Sequence, residues 1–190
     1  MVDRLRQEYG TNLALDWQAF ELRPEPVPLR PPHDPARVKR WQASVLPMAA
    51  ERGLVMRIPP VATRTRLTFQ AVELARDRGK FDAMHRAIFE AFFRDGRDIG
   101  DVDVLADIAA SIDLGPALVR DALESATYLR RVLDQEQLSR QLGITGVPTM
   151  FIGDDLQTAE PVVGAVPYDS LKMVVERRSS ESERPLSRPL

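Results

Sequence analysis

The side chains of this chain that could do chemistry are few: two histidines, a group of aspartates and three loop glycines. His33 lies in a proline-rich run, and His85 lies on a helical pattern beside Met84, Ile88 and Phe89. No second histidine or carboxylate stands four residues from His85, so a metal site has no support and a packed side chain is the better reading. Asp98, Asp101 and Asp103 suggest a calcium loop, yet the ligand pattern and the closing glutamate of one are absent. A capped helix start accounts for them instead. Gly143, Gly146 and Gly153 have the wrong spacing for a phosphate loop or a dinucleotide fingerprint. The chain contains no cysteine. That excludes thiolate metal sites, a disulfide framework and dithiol chemistry within the chain.

Composition sets the frame around these residues. The 190 residues, 44% hydrophobic and 28% charged, suffice for one medium domain or a compact domain with a large insertion. A net charge of -2 and a pI near 5.8 favour neither nucleic acid nor an anionic membrane as partner. The opening MVDRLRQEYG has no apolar core or cleavage site, and no apolar run reaches the roughly 18 residues of a span. The compartment expected from this is the cytoplasm.

The elements follow from periodicity. Residues 1–9 read as a helix stopped by Gly10, and 13–22 (LALDWQAFEL) alternate as a strand with Leu13, Leu15, Trp17, Ala19 and Glu21 on one side. Six prolines between Arg23 and Pro35 predict an extended polyproline-type connector. From Ala36 to Leu142 the pattern is helical, with Pro47 kinking or ending the first helix and Leu129, Val132, Leu133, Leu138 and Leu142 the buried face of the last. Gly143–Thr149 (GITGVPT) is a turn-rich loop. Met150–Ile152 and Pro161–Gly164 then read as a hairpin turning at Gly153-Asp154-Asp155, and residues 169–178 as a closing helix. The tail, 179–190, is predicted to be disordered. Strand, long helical block, hairpin and helix in this order describe an α/β domain interrupted by a helical insertion.

Four stretches together are similar to the DsbA-like thioredoxin family, and most to its FrnE-like branch. They are Trp17–Leu22, Phe89–Ile99 (FEAFFRDGRDI), Gly143–Thr149, and Gly164-Ala165 with Pro167-Tyr168. The likeness spans about residues 2–178. It implies an α/β thioredoxin-like fold, with residues 1–30 and 140–178 forming the discontinuous thioredoxin-like domain and residues 35–139 an all-helical insertion. It also implies that Val147, Pro148 and Thr149 are substrate-binding. In the family this proline is cis and faces the redox motif, and the preceding backbone can pair with an extended client. The other reading is a turn that only shapes the strand entry.

The family carries a Cys-x-x-Cys at the start of its first helix, where the helix terminus favours a thiolate. The resemblance places that motif and the strand before it upstream of Met1. A start codon set too far downstream, a strand donated by another subunit, and a settled degenerate domain are the three explanations. The expected function is thus that of a disulfide oxidoreductase or isomerase relative, with no catalytic residue, metal or cofactor in this chain and peptide binding retained. Client proteins or peptides are the implied partners, with a homodimer paired through exposed strand edges as a further one. Glutathione would be the ligand if the chain follows the related 2-hydroxychromene-2-carboxylate isomerases and kappa-class glutathione transferases. A chaperone-like binding module is the remaining alternative.

Overall fold

The computed structural model describes residues 1–182, which fall into two units: Met1–Gln18 with the chain from Ser139 onward, and Ala19–Leu138.

In the first unit, α1 (Val2–Tyr9) turns Leu5 inward, and Gly10 ends it at φ +55°, a conformation other residues resist. A hairpin follows much later in the chain: β1 (Thr149–Ile152) runs antiparallel to β2 (Glu160–Val163), with Thr149 opposite Val163 and Ile152 opposite Glu160. The turn between them is longer than the Gly-Asp-Asp predicted, taking up residues 153–159. Met150, Ile152 and Val162 share one face of the pleat and pack with Leu13 on Leu5, Leu171 and Val175. The last two belong to α9 (Tyr168–Ser182). That helix runs past the predicted stop at 178, and Ser180 Oγ donates to Glu176 O at 2.9 Å within its final turn. Of the predicted tail, residues 179–182 are therefore helical, and 183–190 lie outside the described residues. Across α1 and α9, Lys172 Nζ meets Glu8 at 2.8 Å, Tyr9 Oη donates to Glu176 at 3.3 Å, and the Arg4 guanidinium sits 3.8 Å over the Tyr168 ring.

Residues 13–22 alternate as predicted except at Trp17: Leu13, Leu15, Ala19 and Glu21 are turned inward and Ala14, Asp16 and Gln18 are exposed, but Trp17, expected inward, is 38% exposed. They are not a strand, however. A strand needs a neighbour to complete its ladder, and the described sheet has only two members, β1 and β2. The segment is extended and held by other means. In the second unit, Ala19 N donates to Gln135 Oε1 at 2.7 Å, and Glu21 Oε1 accepts from Thr65 N at 3.2 Å.

The second unit is helical: α2 (Pro35–Arg40), α3 (Leu46–Glu51), α4 (Arg66–Asp77), α5 (Phe81–Phe89), α6 (Val102–Ser111), α7 (Pro116–Glu124) and α8, which begins at Leu129 and ends at Gln141. Its core is Leu74, Met84, Ile88, Leu105, Ile108 and Val119 with their neighbours. Gly100 is required by crowding. A Cβ there would fall on Thr63 Oγ1 and 2.8 Å from Arg64 O. The predicted polyproline connector is not a straight spacer. Val27 N closes a turn onto Pro24 O at 2.8 Å, and the Arg23 guanidinium folds back to Pro28 O at 3.0 Å. Arg64 in turn donates to Arg23 O. Prolines fix φ at their own positions only, so the residues between them stay free to turn where the Arg23 and Arg64 guanidiniums find backbone carbonyls.

Pro47 does not end its helix. A π-helical turn, Trp41–Val45, precedes it, and Leu46 N reaches Trp41 O. The wider turn makes room for a residue that has no N–H and crowds the preceding carbonyls. A second π turn, Glu90–Arg94, extends α5. On α8 the fully covered positions are Val132, Glu136 and Ser139, while the predicted Leu129, Leu133, Leu138 and Leu142 are half-buried. Polar contacts explain the difference. Arg131 pairs with Asp77 at 2.7 Å and with Glu73 at 3.3 Å, and Gln135 Nε2 donates to Glu73 at 3.2 Å.

Two measurements check this account. Leu105→Ala, which empties a fully buried position, should lower the unfolding free energy by about 2–5 kcal/mol in urea titrations. The second concerns Glu8, whose carboxyl is held at about 2 instead of 4.5, first by the Lys172 hydrogen bond. Its stabilisation is complete above pH 4.5 and is lost as pH falls through about 2. Lys172→Met should flatten the fall of melting temperature between those limits.

Candidate functional site

The three residues singled out for substrate contact open the hairpin of the first unit. Helix α8 is closed off by Ile144 N bonding to Ser139 O at 3.0 Å, and the loop then carries the chain to β1. Val147 is 54% exposed, Pro148 is exposed, and the Val147–Pro148 peptide is cis. Thr149 is half-buried and begins β1, and its Oγ1 donates to Gly146 O at 2.8 Å, tying strand to loop.

One hydrogen bond fixes the phase of everything that follows. Gly164 N donates to Pro148 O at 2.8 Å, which makes Pro148 and Gly164 a bonded pair of the antiparallel ladder. Bonded and non-bonded pairs alternate in such a ladder. With the observed register, Met150–Val162 and Ile152–Glu160 are therefore the next bonded pairs. The backbone N–H and C=O of Thr149 and Phe151 point away from β2, as do those of Val147 at the loop. Among the described residues none of these groups has a hydrogen-bond partner. The phase also explains the proline in the returning strand. Pro161 stands opposite Phe151, a non-bonded position where the missing N–H costs no ladder bond.

The site is thus a short, addressable row of backbone donors and acceptors with an exposed valine at its head. What it offers is pairing to another extended chain. Pro148 has no N–H to offer, so its own contribution to any incoming chain is shape. Val147, Pro148 and Thr149 stand together here by their adjacency in the chain. The sequence reading missed Phe151, although a signal was present: a proline in one strand of a hairpin marks which residues of the other face outward.

The remaining chemistry-bearing residues belong to the second unit and are structural. Asp101 caps α6, its Oδ1 accepting from Asp103 N at 2.7 Å and Val104 N at 3.1 Å, while Asp98 Oδ1 accepts from Gly100 N at 2.9 Å. His85 lies between Phe81 and Phe89, at ring-centroid distances of 5.5 and 4.8 Å. His33 is exposed on a turn. No group of three or more His, Cys, Asp or Glu among the described residues could hold a metal ion.

Comparison with known proteins places this geometry. Residues 1–176 match the family model of the DSBA-like thioredoxin domain. The uncharacterized protein YwbO of Bacillus subtilis (strain 168) is 33% identical over 181 residues, covering 92% of this chain and 85% of the relative. Among solved structures, a probable DsbA oxidoreductase of Streptomyces coelicolor superposes with a TM-score of 0.72 at 24% identity. The match covers 91% of this chain and 77% of that one. A 2-hydroxychromene-2-carboxylate isomerase gives the same TM-score, 0.72, at 18% identity over 95% of this chain and 86% of its own. At those identities the two structures establish a thioredoxin-like DsbA fold and nothing finer.

The ladder phase has a direct readout in amide hydrogen exchange. Met150, Ile152 and Val162 should be protected, and Thr149 and Phe151 should exchange at least tenfold faster than their immediate neighbours. Equal protection along β1 would show that its outer edge is not open.

Proposed function

Because the chain belongs to the DsbA-like thioredoxin domain family, we propose that it is a peptide-docking relative of the disulfide oxidoreductases, and that an extended client lies along Val147–Phe151. The observation that supports this is the unpaired outer edge of β1, headed by exposed Val147. Addition of a strand there is recognition by main-chain hydrogen bonds, with alternate side chains supplying specificity. Each such bond contributes a net 0.5–1.5 kcal/mol or so. Three or four give only a few kcal/mol, so binding is weak unless side chains of the client add to it.

The family's redox step is attack of a thiolate on a client disulfide. These 190 residues hold no thiol. The proposal therefore assigns this polypeptide the holding of a client and no disulfide exchange by its own side chains. A second copy pairing through the same edge is the homodimeric form of the same contact. No helix among the described residues is long and apolar enough to cross a membrane. The cytoplasm is part of the proposal on a separate ground, the likeness to the FrnE-like branch. Glutathione is an alternative occupant, supported by the likeness to the isomerase fold. Its backbone is short and extended and would use the same donors.

Insulin reduction by dithiothreitol should run at the reagent's own rate with or without this polypeptide, and added turnover would refute the docking-only reading. Binding is read from the Thr149 and Phe151 amides, which should shift and gain protection when an extended synthetic peptide is titrated in. N-methylating every second peptide residue should abolish the effect in one parity and spare it in the other. Loss in both parities or neither would remove main-chain pairing as the mode. Retention on glutathione resin that free glutathione reverses would move the assignment to the isomerase-like alternative.

A further inference from the structure

The outer face of α5 and of the π turn that extends it carries two rows of side chains. One row is aromatic: Phe81, His85, Phe89 and Phe93, each four residues from the next. Their ring centroids follow at 5.5, 4.8 and 5.6 Å, and Trp41 continues the stack 5.9 Å from Phe93. The row beside it is charged: Asp82, Arg86, Glu90 and Arg94, with signs that alternate along the helix. Asp82, Arg86, Phe89 and Arg94 are exposed, while Met84, Ile88 and Ala91 of the opposite face are buried in the core.

The π turn keeps the two rows on one face. At 3.6 residues per turn, a row of every fourth residue drifts by about 40° per step round the helix. Glu90–Arg94 takes more residues to complete its turn, which holds the drift back. Phe93 still stacks on Phe89, and Arg94 still reaches Glu90, at 2.7 Å. Phe89, in the middle of the face, is left 52% exposed. A large aromatic side chain set in such a stripe and open to water marks a surface that something covers.

The order of the charges says what covers it. Turned end over end about an axis at the level of Ile88, the row meets its own reverse, and every charge faces its opposite. Arg86 comes against Glu90 of the other copy, and Asp82 against Arg94. The aromatic row is symmetric about nearly the same level, at Ala87, so His85 comes against Phe89 and Phe81 against Phe93. Laid parallel, each charge would meet its like, and a uniformly acidic or basic partner would leave half the row facing its own sign. The central contacts carry the selection. Arg94 is already engaged by Glu90 and by Asp95, at 2.8 Å, whereas Arg86 has no ion pair among the described residues.

We infer that two copies of this chain meet here, α5 against α5, antiparallel about a two-fold axis at Ile88. Such an interface uses the same patch on both partners, as two-fold dimers do. One helix pair is a small contact beside that of a stable dimer, so the association is weak and concentration-dependent. It is independent of strand addition at β1.

Sedimentation velocity of the whole chain between 10 µM and 1 mM should show a monomer–dimer equilibrium that weakens from 50 to 300 mM NaCl. Phe89→Ser, Arg86→Glu and Glu90→Arg should each weaken dimerisation at least tenfold, with circular dichroism checking that the fold persists. The deciding arm mixes Arg86→Glu protein with Glu90→Arg protein. Each introduced charge then finds its opposite on the other chain, and a heterodimer should form at least tenfold more tightly than either variant pairs with itself. A chain that stays monomeric at 1 mM overturns the inference. So does a dimer that all three variants leave intact, as one built on the β1 edge would be, and so does a mixture that associates no better than its parts.

Discussion

Hydrogen-bond accounting at a two-stranded hairpin governs the first unit. β1 satisfies its backbone toward β2 alone, because the bond from Gly164 N to Pro148 O sets which residues look inward and which look out. With that bond in place, Met150 and Ile152 are committed to β2 while Thr149 and Phe151 are not. The pleat then directs the side chains of Met150, Ile152 and Val162 together onto Leu5 and α9. A shift of one residue would turn that apolar set outward. Burial of one face and freedom of one edge are two outcomes of the same register.

The second unit is held differently. Around its apolar core runs a seam in which α4 supplies Arg66, Glu73 and Asp77, α8 supplies Arg131, Gln135 and Glu136, and the extended segment supplies Ala19 N and Glu21. Glu21, Glu73 and Glu136 are buried, and buried carboxylates persist only where partners replace the water they lost. Arg66 meets both Glu21, at 3.1 Å, and Glu136, at 3.6 Å. Such a seam adds little net stability over a well-packed apolar one. It does fix where the extended segment rests, since a slide along α4 would leave charges unmatched. Hydrogen bonds to side chains thus do for residues 19–21 what a ladder does for a strand.

Much of this was legible in the sequence. The helices of the second unit announced themselves by apolar spacing, and α6 by the aspartate at its start. The hairpin and the Gly-Val-Pro-Thr loop before it were legible as a turn followed by a short apolar run. The alternation of residues 13–22 was read correctly except at exposed Trp17, and its pairing was not, because side-chain period reports which face is covered and says nothing of who supplies the ladder. The face of α8 was misassigned for a related reason. Periodicity scores leucines as buried, whereas Glu136 is covered where Arg66 of α4 awaits it. Pro47 shows the limit of local rules, since a helix that widens by one residue upstream can carry a proline through. At the candidate site the loop residues were singled out by the resemblance to the DsbA-like family. The outward direction of Phe151 needed the register.

Pro161 gives the hairpin a second property. On β2 the residues whose backbone faces away from β1 are Pro161 and Val163, and the first of them has no donor. Any strand approaching that flank would meet an acceptor where it needs a complementary pair, and would be held by little more than Val163. Under the proposed docking, association through this sheet would be one-sided. A chain joining at β1 would not make the opposite flank ready for another, so such an assembly would end at a single added member instead of growing into a fibre.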